Sequence, residues 1–411
     1  MSRKTRLFQR FFDMTSPNSV LQLILYFYCF LRHYLPFMKR LYFHFYNIAQ
    51  YYAIIKPMSE VLKIDGSYGE GGGQILRTAL SLSLVLNRPI EIYNIRKARP
   101  KPGLQPQHLT CVNSCQKISS AKVDGNELQS TKLFFSPNQV NGGEFIFDVS
   151  EKKGSAGSVS LIFQTLLLPL SFAKSKSTIE LIGGTHVPWS PSFNFLKDIF
   201  VPAVRRMGIR AKLELEKCGF YPKGGGRIRA QIEPLKELAP ITITARGALK
   251  KINATSAVAN LPRSIAERQW AKASEYLKGK NLDCEVIIEE ATSLGAGTFF
   301  FITAEFENIK AGFGSLGAIG KRAEKVGEEA TKDFLEYLSI DAAVEPHLSD
   351  QLVLYMALAK GKSRYTASKI TRHLLTNIWV INQFLPNIEI KVGGEEGKPG
   401  EITVNKNIFK R

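Results

Sequence analysis

From Val61 onward the chain repeats one local order: a short strand-like run, a turn rich in glycine or polar residues, then an apolar stretch with helical spacing. Val61–Asp65 leads through the loop Gly66–Gly73 into Gln74–Leu86, where Ile75, Leu76, Ala79, Leu80 and Leu84 recur near a helical period. Phe145–Val149 leads through Gly154-Ser-Ala-Gly157 into Val159–Phe172, and Thr178–Ile182 through Gly183-Gly-Thr-His186 into Phe195–Met207. Ala342–Pro346 leads into Asp350–Ala359. No fixed-period repeat of letters accompanies this order. Strand and helix periods that alternate along the chain exclude a helical bundle or a β-sandwich. They predict an α/β fold of α+β layers, with duplicated units forming sheets that carry helices on one face.

Between Pro240 and about Lys321 the texture changes. Strand-like Ile241–Ala245 is followed by a charged helix, Arg263–Leu277, and then by Asp283–Glu289 and Thr298–Phe306, which together read as a compact inserted α/β domain. Arg263, Glu267, Arg268 and Lys272 on that helix have spacing for i,i+4 pairs, the mark of a solvated face. Lys321–Leu338 then returns as an amphipathic helix with Val326, Ala330, Phe334 and Leu338 on one stripe. The expected organisation is a core of residues 58–239 and 322–411 with an inserted domain at 240–321.

Residues 1–57 differ in kind. They hold eight Lys or Arg against the single acid Asp13, and 15 of the 43 aromatic residues. Their longest uncharged stretch, Met14–Leu31, is broken by Thr15, Ser16, Asn18, Ser19 and Gln22, which argues against a spanning helix. A second aromatic stretch after Lys39-Arg40 does not fit a signal peptide. The segment is read as an atypical basic, aromatic extension, either translated upstream of a start at Met58 or an interfacial anchor. The whole chain carries a formal net charge of +19, which suits polyanionic partners. Five scattered cysteines without a CxxC pair fit neither a disulfide framework nor structural zinc, and predict a reducing, cytoplasmic location.

The chemistry candidates begin with Gly69-Glu-Gly-Gly-Gly-Gln-Ile-Leu-Arg77, placed between strand and helix. Its glycines allow backbone N–H groups to approach an anion at a positively polarised helix start, and Arg77, one turn in, could reach the same anion. It is neither a Walker loop nor a clean GxGxxG, and a tight packing turn is the plainer alternative. The proline-stiffened loop from Arg96 to His108, with Arg99 and Lys101, could hold charges ready for phosphates, the alternative being a solvated basic loop. Tyr221–Arg227 reads as a hairpin turn, with a phosphate cradle as the alternative. His347 and His373 both sit at the starts of helix-like segments, where a ring is exposed by geometry, a capping or packing role being the alternative. No HxH or HExxH spacing supports zinc, and no Gly-x-Ser-x-Gly elbow supports a serine hydrolase.

Six separated stretches carry a resemblance: IDGSYGEGGGQILRTALSLS, IRKARPKPGLQPQHL, GSAGSVSLIFQT, GFYPKGGGRI, HLSDQLVLYMALA and HLLTNIWV. In this order and spacing the chain from Met58 to its end resembles the RNA 3′-terminal phosphate cyclases. The resemblance implies repeated units of a four-stranded sheet with two helices, plus a smaller inserted α/β domain. It also implies ATP-dependent chemistry in which a histidine takes AMP, passes it to an RNA 3′-phosphate, and the neighbouring 2′-hydroxyl closes a 2′,3′-cyclic phosphate.

By motif position the resemblance implies His373 as the nucleophile, and a neutral imidazole is nucleophilic near pH 7. It implies a nucleotide site at Gln164, His347, Leu348, Ser349, Asp350 and Gln351, with His347 stacking on adenine and Asp350 orienting His373 or the ribose. Arg77, Arg96, Arg99 and His108 would bind the phosphates and the RNA end, and Glu70 would hold Mg²⁺ or Mn²⁺. His186 stays structural. The implied partners are ATP and an RNA with a 3′-phosphate end, with no stable membrane association and with the oligomeric state open, a dimer included. Non-catalytic relatives that act in ribosomal RNA maturation lack the HLLTN histidine, which is His373 here. An RNA-binding factor without catalysis is the second reading, and an enolpyruvyl-type transferase of shared fold the third.

Overall fold

The computed structural model describes residues 61–149 and 156–406. The extension expected at 1–57 and part of the Gly154–Gly157 turn lie outside the described residues. The first unit runs β1 (Leu62–Asp65), α1 (Gly73–Leu86), β2 (Ile90–Tyr93), α2 (Pro106–Ser119), β3 (Lys122–Asp124) and β4 (Leu133–Ser136), with lateral strand order β1-β2-β4-β3. β1 and β2 are parallel and the remaining pairs antiparallel.

The second unit repeats this layout. It comprises β5 (Glu144–Asp148), α3 (Val159–Ser171), β6 (Ser177–Gly183), α4 (193–205, with a π turn at Leu196–Phe200), β7 (Arg210–Lys217) and β8 (Gly226–Glu233), in order β5-β6-β8-β7.

A third copy is interrupted. After its first strand, β9 (Thr242–Ile243), the chain makes β10 (Leu249–Ala259), α5 (Ser264–Lys278), β11 (Glu285–Glu290), β12 (Gly297–Phe306), β13 (Lys310–Leu316) and α6 (Ala323–Ser339). The interruption is a separate sheet of order β11-β10-β12-β13. The third unit then resumes with α7 (Pro346–Leu358), β14 (Lys362–Ala367), α8 (Arg372–Phe384), β15 (Ile388–Gly393) and β16 (Gly400–Lys406). Its order, β15-β16-β14-β9 with β9 parallel to β14, is that of the first two units.

These pairings correct the expected insert of 240–321 at both ends. The strand expected inside it at 241–245 pairs with β14 of the core. The helix expected to return to the core, α6, packs instead on α5 and β13, with Phe334 against Phe313. The strand expected at Ala342–Pro346 shrinks to one bridge, Val344 with Ala367. A two-residue strand has no period to read, and an amphipathic stripe does not say which sheet it covers.

Helix composition explains the layering. Every residue of α3 except Gln164 is buried, and α1 is buried from Gln74 to Leu84 save Arg77. Helices apolar on all sides belong in an interior. α1 packs against α8, α3 and α2, and α7 against α8, so the helices of the three units meet one another. Each fully buried Leu or Phe there contributes roughly 1.5–3 kcal/mol of transfer free energy. Polar ties lock the contacts: Ser81 Oγ donates to the Thr165 carbonyl of α3 at 2.7 Å, and Thr78 Oγ1 to Asn377 Oδ1 of α8 at 2.7 Å.

Candidate active site

Helix starts from all three units converge. The N-cap of α1 is Gly72, and no side chain caps that helix, so its first N–H groups remain open. A Cβ added to Gly73 would lie 2.1 Å from His108 Nε2, at the start of α2, and 2.9 Å from Arg77 Nη1. Only glycine permits that approach. Gln107 Oε1, beside His108, accepts from the Ser158 N–H that begins α3, at 3.1 Å.

His373 is the second residue of α8. Gln74, in the first turn of α1, grips it twice: the amide Nε2 donates to the His373 carbonyl at 3.0 Å, and the amide Oε1 accepts from ring Nδ1. The carbonyl contact fixes which way the amide faces, so Oε1 must meet the ring and the Nδ1 proton is specified. Nε2 then faces Glu70 Oε2 at 2.6 Å, and a neutral ring protonated on Nδ1 has no proton there to donate, so this buried carboxylate oxygen is left without a hydrogen bond. The other Glu70 oxygen accepts from Arg99 Nη2 at 2.5 Å, and the same guanidinium donates to the Glu70 carbonyl at 3.0 Å.

Burial holds the His373 pKa below its ordinary value, with Arg77, His347 and Arg99 pushing the same way and Glu70 opposing. Neutral His373 is thus the favoured form at neutral pH. His108 is held well below its ordinary value by burial and by Arg77 and Arg96. Its Nδ1 accepts from the Gln105 N–H at 3.2 Å, so its proton sits on Nε2 and points at Gly73. The site therefore offers N–H donors and cations around one neutral imidazole, a setting for an anionic, phosphate-bearing ligand.

α7 supports this arrangement from below. Its N-cap Glu345 is buried and accepts from the N–H groups of Leu348 at 2.5 Å and His347 at 2.8 Å, yet burial pushes its pKa up to about 8. Asp350, raised to about 7 by burial, accepts from Thr371 Oγ1, the N-cap of α8. Asn377 Nδ2 donates to the Asp350 carbonyl at 2.7 Å. Asp350 thus reaches the cap of the histidine helix, two residues before His373.

Of the residues expected to bind nucleotide, His347 is exposed and meets Phe195 in a T-shaped contact with ring centroids 6.4 Å apart. Gln164 Nε2 and Gln351 Oε1 are buried atoms without a hydrogen-bond partner, one donor and one acceptor awaiting a ligand. Leu348 and Ser349 are each 0 % exposed, and their N–H groups are taken by Glu345. They form the floor and present nothing to a ligand. Arg96 is also withdrawn: its Nη1 donates to the carbonyls of Lys101 at 2.6 Å and Gly103 at 3.3 Å, closing its own loop. His186 is structural, wedged between Thr185, Asn194 and the Phe299 ring of β12.

Sequence reasoning missed Gln74, Thr371, Asn377 and Glu345. Gln74 had a signal, since it stands where a dinucleotide fingerprint would carry its last glycine, but its partner lies 299 positions away. No group of three or more His, Cys, Asp or Glu among the described residues is arranged to hold a metal ion, and of the Glu70 oxygens Oε1 is taken by Arg99 while buried Oε2 has no hydrogen-bond donor. The donor set is no preformed cage. It fits at most a cation that brings most of its oxygen ligands with it, for which Glu70 would be the carboxylate.

A family model described as RNA 3′-terminal phosphate cyclase matches residues 68–392. A protein of that name from Gloeothece citriformis is 42 % identical over 79 % of this chain and 93 % of its own length. One from Pyrobaculum aerophilum is 43 % identical over 79 % and 92 %, and one from Pyrococcus furiosus 40 % over 84 % and 99 %.

Proposed function

This chain belongs to the RNA 3′-terminal phosphate cyclase family, and on that premise we propose that it converts an RNA 3′-phosphate to a 2′,3′-cyclic phosphodiester through a covalent AMP on His373, with ATP as the AMP donor. The observation that carries the reading is the His373–Gln74–Glu70 cluster at converging helix starts.

In the first step the Nε2 lone pair of His373 attacks the α-phosphorus of ATP, a P–N bond forms, and pyrophosphate leaves with its electron pair. With the ring neutral and its proton on Nδ1 the Nε2 lone pair is free, and Glu70 Oε2, 2.6 Å away, must withdraw to admit the phosphorus. Gln74 keeps the ring proton on Nδ1 throughout, so that Nε2 is the reacting nitrogen. The open N–H groups of α1, together with Arg77, neutral His108 and Arg99, supply donors for the phosphate charge, the main task in phosphoryl-type transfer.

In the second step an oxygen of the RNA 3′-phosphate attacks the same phosphorus and displaces the imidazole, giving a diphosphate link to AMP. In the third the 2′-hydroxyl attacks the RNA phosphorus, its proton leaves to solvent or a base, and AMP departs. His347, with the unpaired Gln164 Nε2 and Gln351 Oε1, forms the nucleotide cradle. A divalent cation arriving with the triphosphate would meet Glu70 and supply charge neutralisation.

No helix of the described residues is long and apolar enough to cross a membrane, and four described cysteines are unpaired. A cytoplasmic RNA-processing enzyme is the setting we infer. The test is incubation with α-³²P-labelled ATP and Mg²⁺, followed by denaturing electrophoresis of wild type and His373→Ala. An acid-labile, alkali-stable label in the wild type alone supports the reading. Equal labelling refutes His373, and no label in either supports the non-catalytic RNA-binding alternative.

A further inference from the structure

The β1–α1 loop descends one face of α8 in register. Tyr68 stacks on Trp379 with ring centroids 4.0 Å apart and an interplanar angle of 10°. A Cβ on Gly69 would come within 2.5 Å of Thr376 Oγ1, and Glu70 reaches His373. Successive loop residues therefore meet helix positions three apart. Tyr68 stands two such steps, about 9 Å along the helix axis, from the proposed nucleophile. That is near the span of a single nucleotide.

The aromatic pair is asymmetric. Trp379 packs against the core, while Tyr68 is 46 % exposed, so one face of its ring is held by the tryptophan and the other is open. Its backbone is also pinned. Ser67 donates twice to Asp65 Oδ1, at 3.0 and 2.7 Å, Asn94 Nδ2 donates to the same oxygen at 3.3 Å, and the Gly71 N–H donates to the Tyr68 carbonyl at 2.8 Å. A rigid, half-open ring with its rotamer already fixed is a low-cost surface for stacking a flat ligand. Exposed Lys97 and Lys101 lie on the loop that adjoins it through Asn94, which gives the neighbourhood the charge a phosphodiester backbone needs.

Resting on the cyclase reading, we propose that Tyr68, backed by Trp379, is the stacking platform for the base of the RNA's 3′-terminal nucleotide, and that it holds the terminal phosphate over His373. The adenine of ATP belongs to the separate cradle at His347, Gln164 and Gln351. Stacking on an aromatic ring tolerates any base, so the platform gives end recognition without sequence preference.

The experiment compares wild type, Tyr68→Ala, Tyr68→Phe and Tyr68→Leu on a 3′-phosphate RNA and on the same RNA with an abasic terminal nucleotide. Labelling by ATP alone, which involves no RNA, is the internal measure of an intact site. Removing one base–aromatic stack, worth about 1–3 kcal/mol, should raise the RNA KM of Tyr68→Ala by roughly 5- to 150-fold. Tyr68→Phe should keep wild-type values. The abasic RNA should cost wild type as much as the Ala substitution does and cost the variant nothing further. Tyr68→Leu keeps an apolar contact on Trp379 and should show the same RNA defect, which preserves the test should Tyr68→Ala fail to fold.

An unchanged RNA KM overturns the proposal. So does a Tyr68→Ala enzyme that still discriminates against the abasic end, or an equal loss in the ATP-only step, which would assign the ring to adenine. Should no variant label with ATP, the catalytic reading fails by itself. Direct binding of the two RNAs to wild type and Tyr68→Ala then decides the platform by the same contrast.

Discussion

In the inserted sheet, Ser256 Oγ meets Gln269 Oε1 at 2.9 Å, Gln269 Nε2 donates to Thr298 Oγ1 at 2.7 Å, and Thr298 Oγ1 donates to the Ala257 carbonyl at 2.6 Å. That buried polar chain is closed on itself. At the converging helix starts of the core, Gln164 Nε2 and Gln351 Oε1 have no partner, Asp350 and Glu345 carry raised pKa values, and α1 has no side-chain cap. Both regions belong to four-stranded sheets with helices; the first closes this buried chain on itself, while the second leaves Gln164 Nε2, Gln351 Oε1 and Glu70 Oε2 without partners. Closed networks stabilise, while open and displaced ones are where a ligand completes the structure.

The contrast breaks most decisively at His373. Its replacement by Ala should lower ATP labelling by more than about 10³-fold with the melting temperature nearly unchanged, because the group is half-exposed and removes the nucleophile itself. Gln74→Ala should come next. Loss of the grip on both ring and carbonyl leaves the His373 tautomer unspecified and should slow labelling by about 10- to 100-fold, with ¹⁵N spectra showing mixed tautomers where wild type shows Nδ1–H.

Gln269→Ala should do the reverse. Thr298 and Ser256 lose a buried partner, destabilisation of about 1–3 kcal/mol is expected in chemical denaturation, and labelling per folded molecule should be unaltered.

Glu345 sharpens the comparison through pH. Its folded pKa, near 8, lies above the ordinary carboxylate value, so the folded state holds a proton that the unfolded state releases above about pH 4.5. The stability this contributes is full below that pH and is lost as pH rises through 8. Melting temperature should therefore fall from pH 5 to pH 8, and Glu345→Gln should flatten that slope in part, Asp350 still contributing. Smallest of all is Lys332→Ala on α6. Its i,i+4 pair with Glu328 lies beside the Tyr276 ring of α5 with the lysine half-exposed, and calorimetry should show a loss of no more than about 1 kcal/mol.

Much of this was legible in the residues. The β1–loop–α1 unit and the helix starts bearing His347 and His373 follow from local spacing and turn chemistry. Two kinds of feature were not. The insert's limits were hidden because β9 is two residues long and α6 shows the same stripe whichever sheet it covers. The fine structure of the site was hidden because it depends on pairs far apart in sequence, such as Gln74 with His373 and Thr371 with Asp350. Local pattern likewise offers no means to separate Asp350, which holds the α8 cap, and Gln351, with its unpartnered oxygen, from the fully buried Leu348 and Ser349.

The splice after β9 has a consequence for how the molecule is made. β9 emerges early, but its partner strand β14 follows only after the whole interrupting sheet, roughly a hundred residues later, which at about 5–20 residues per second is a wait of many seconds on the ribosome. The histidine helix follows β14, so the cluster that joins Glu70 and Gln74 to His373 is among the late parts the nascent chain can assemble, with only β15 and β16 after it. Until then the first unit carries a half-built pocket lined with cations and unsatisfied N–H groups. A chain arrested before α8 would be folded in two of its three units and still chemically silent.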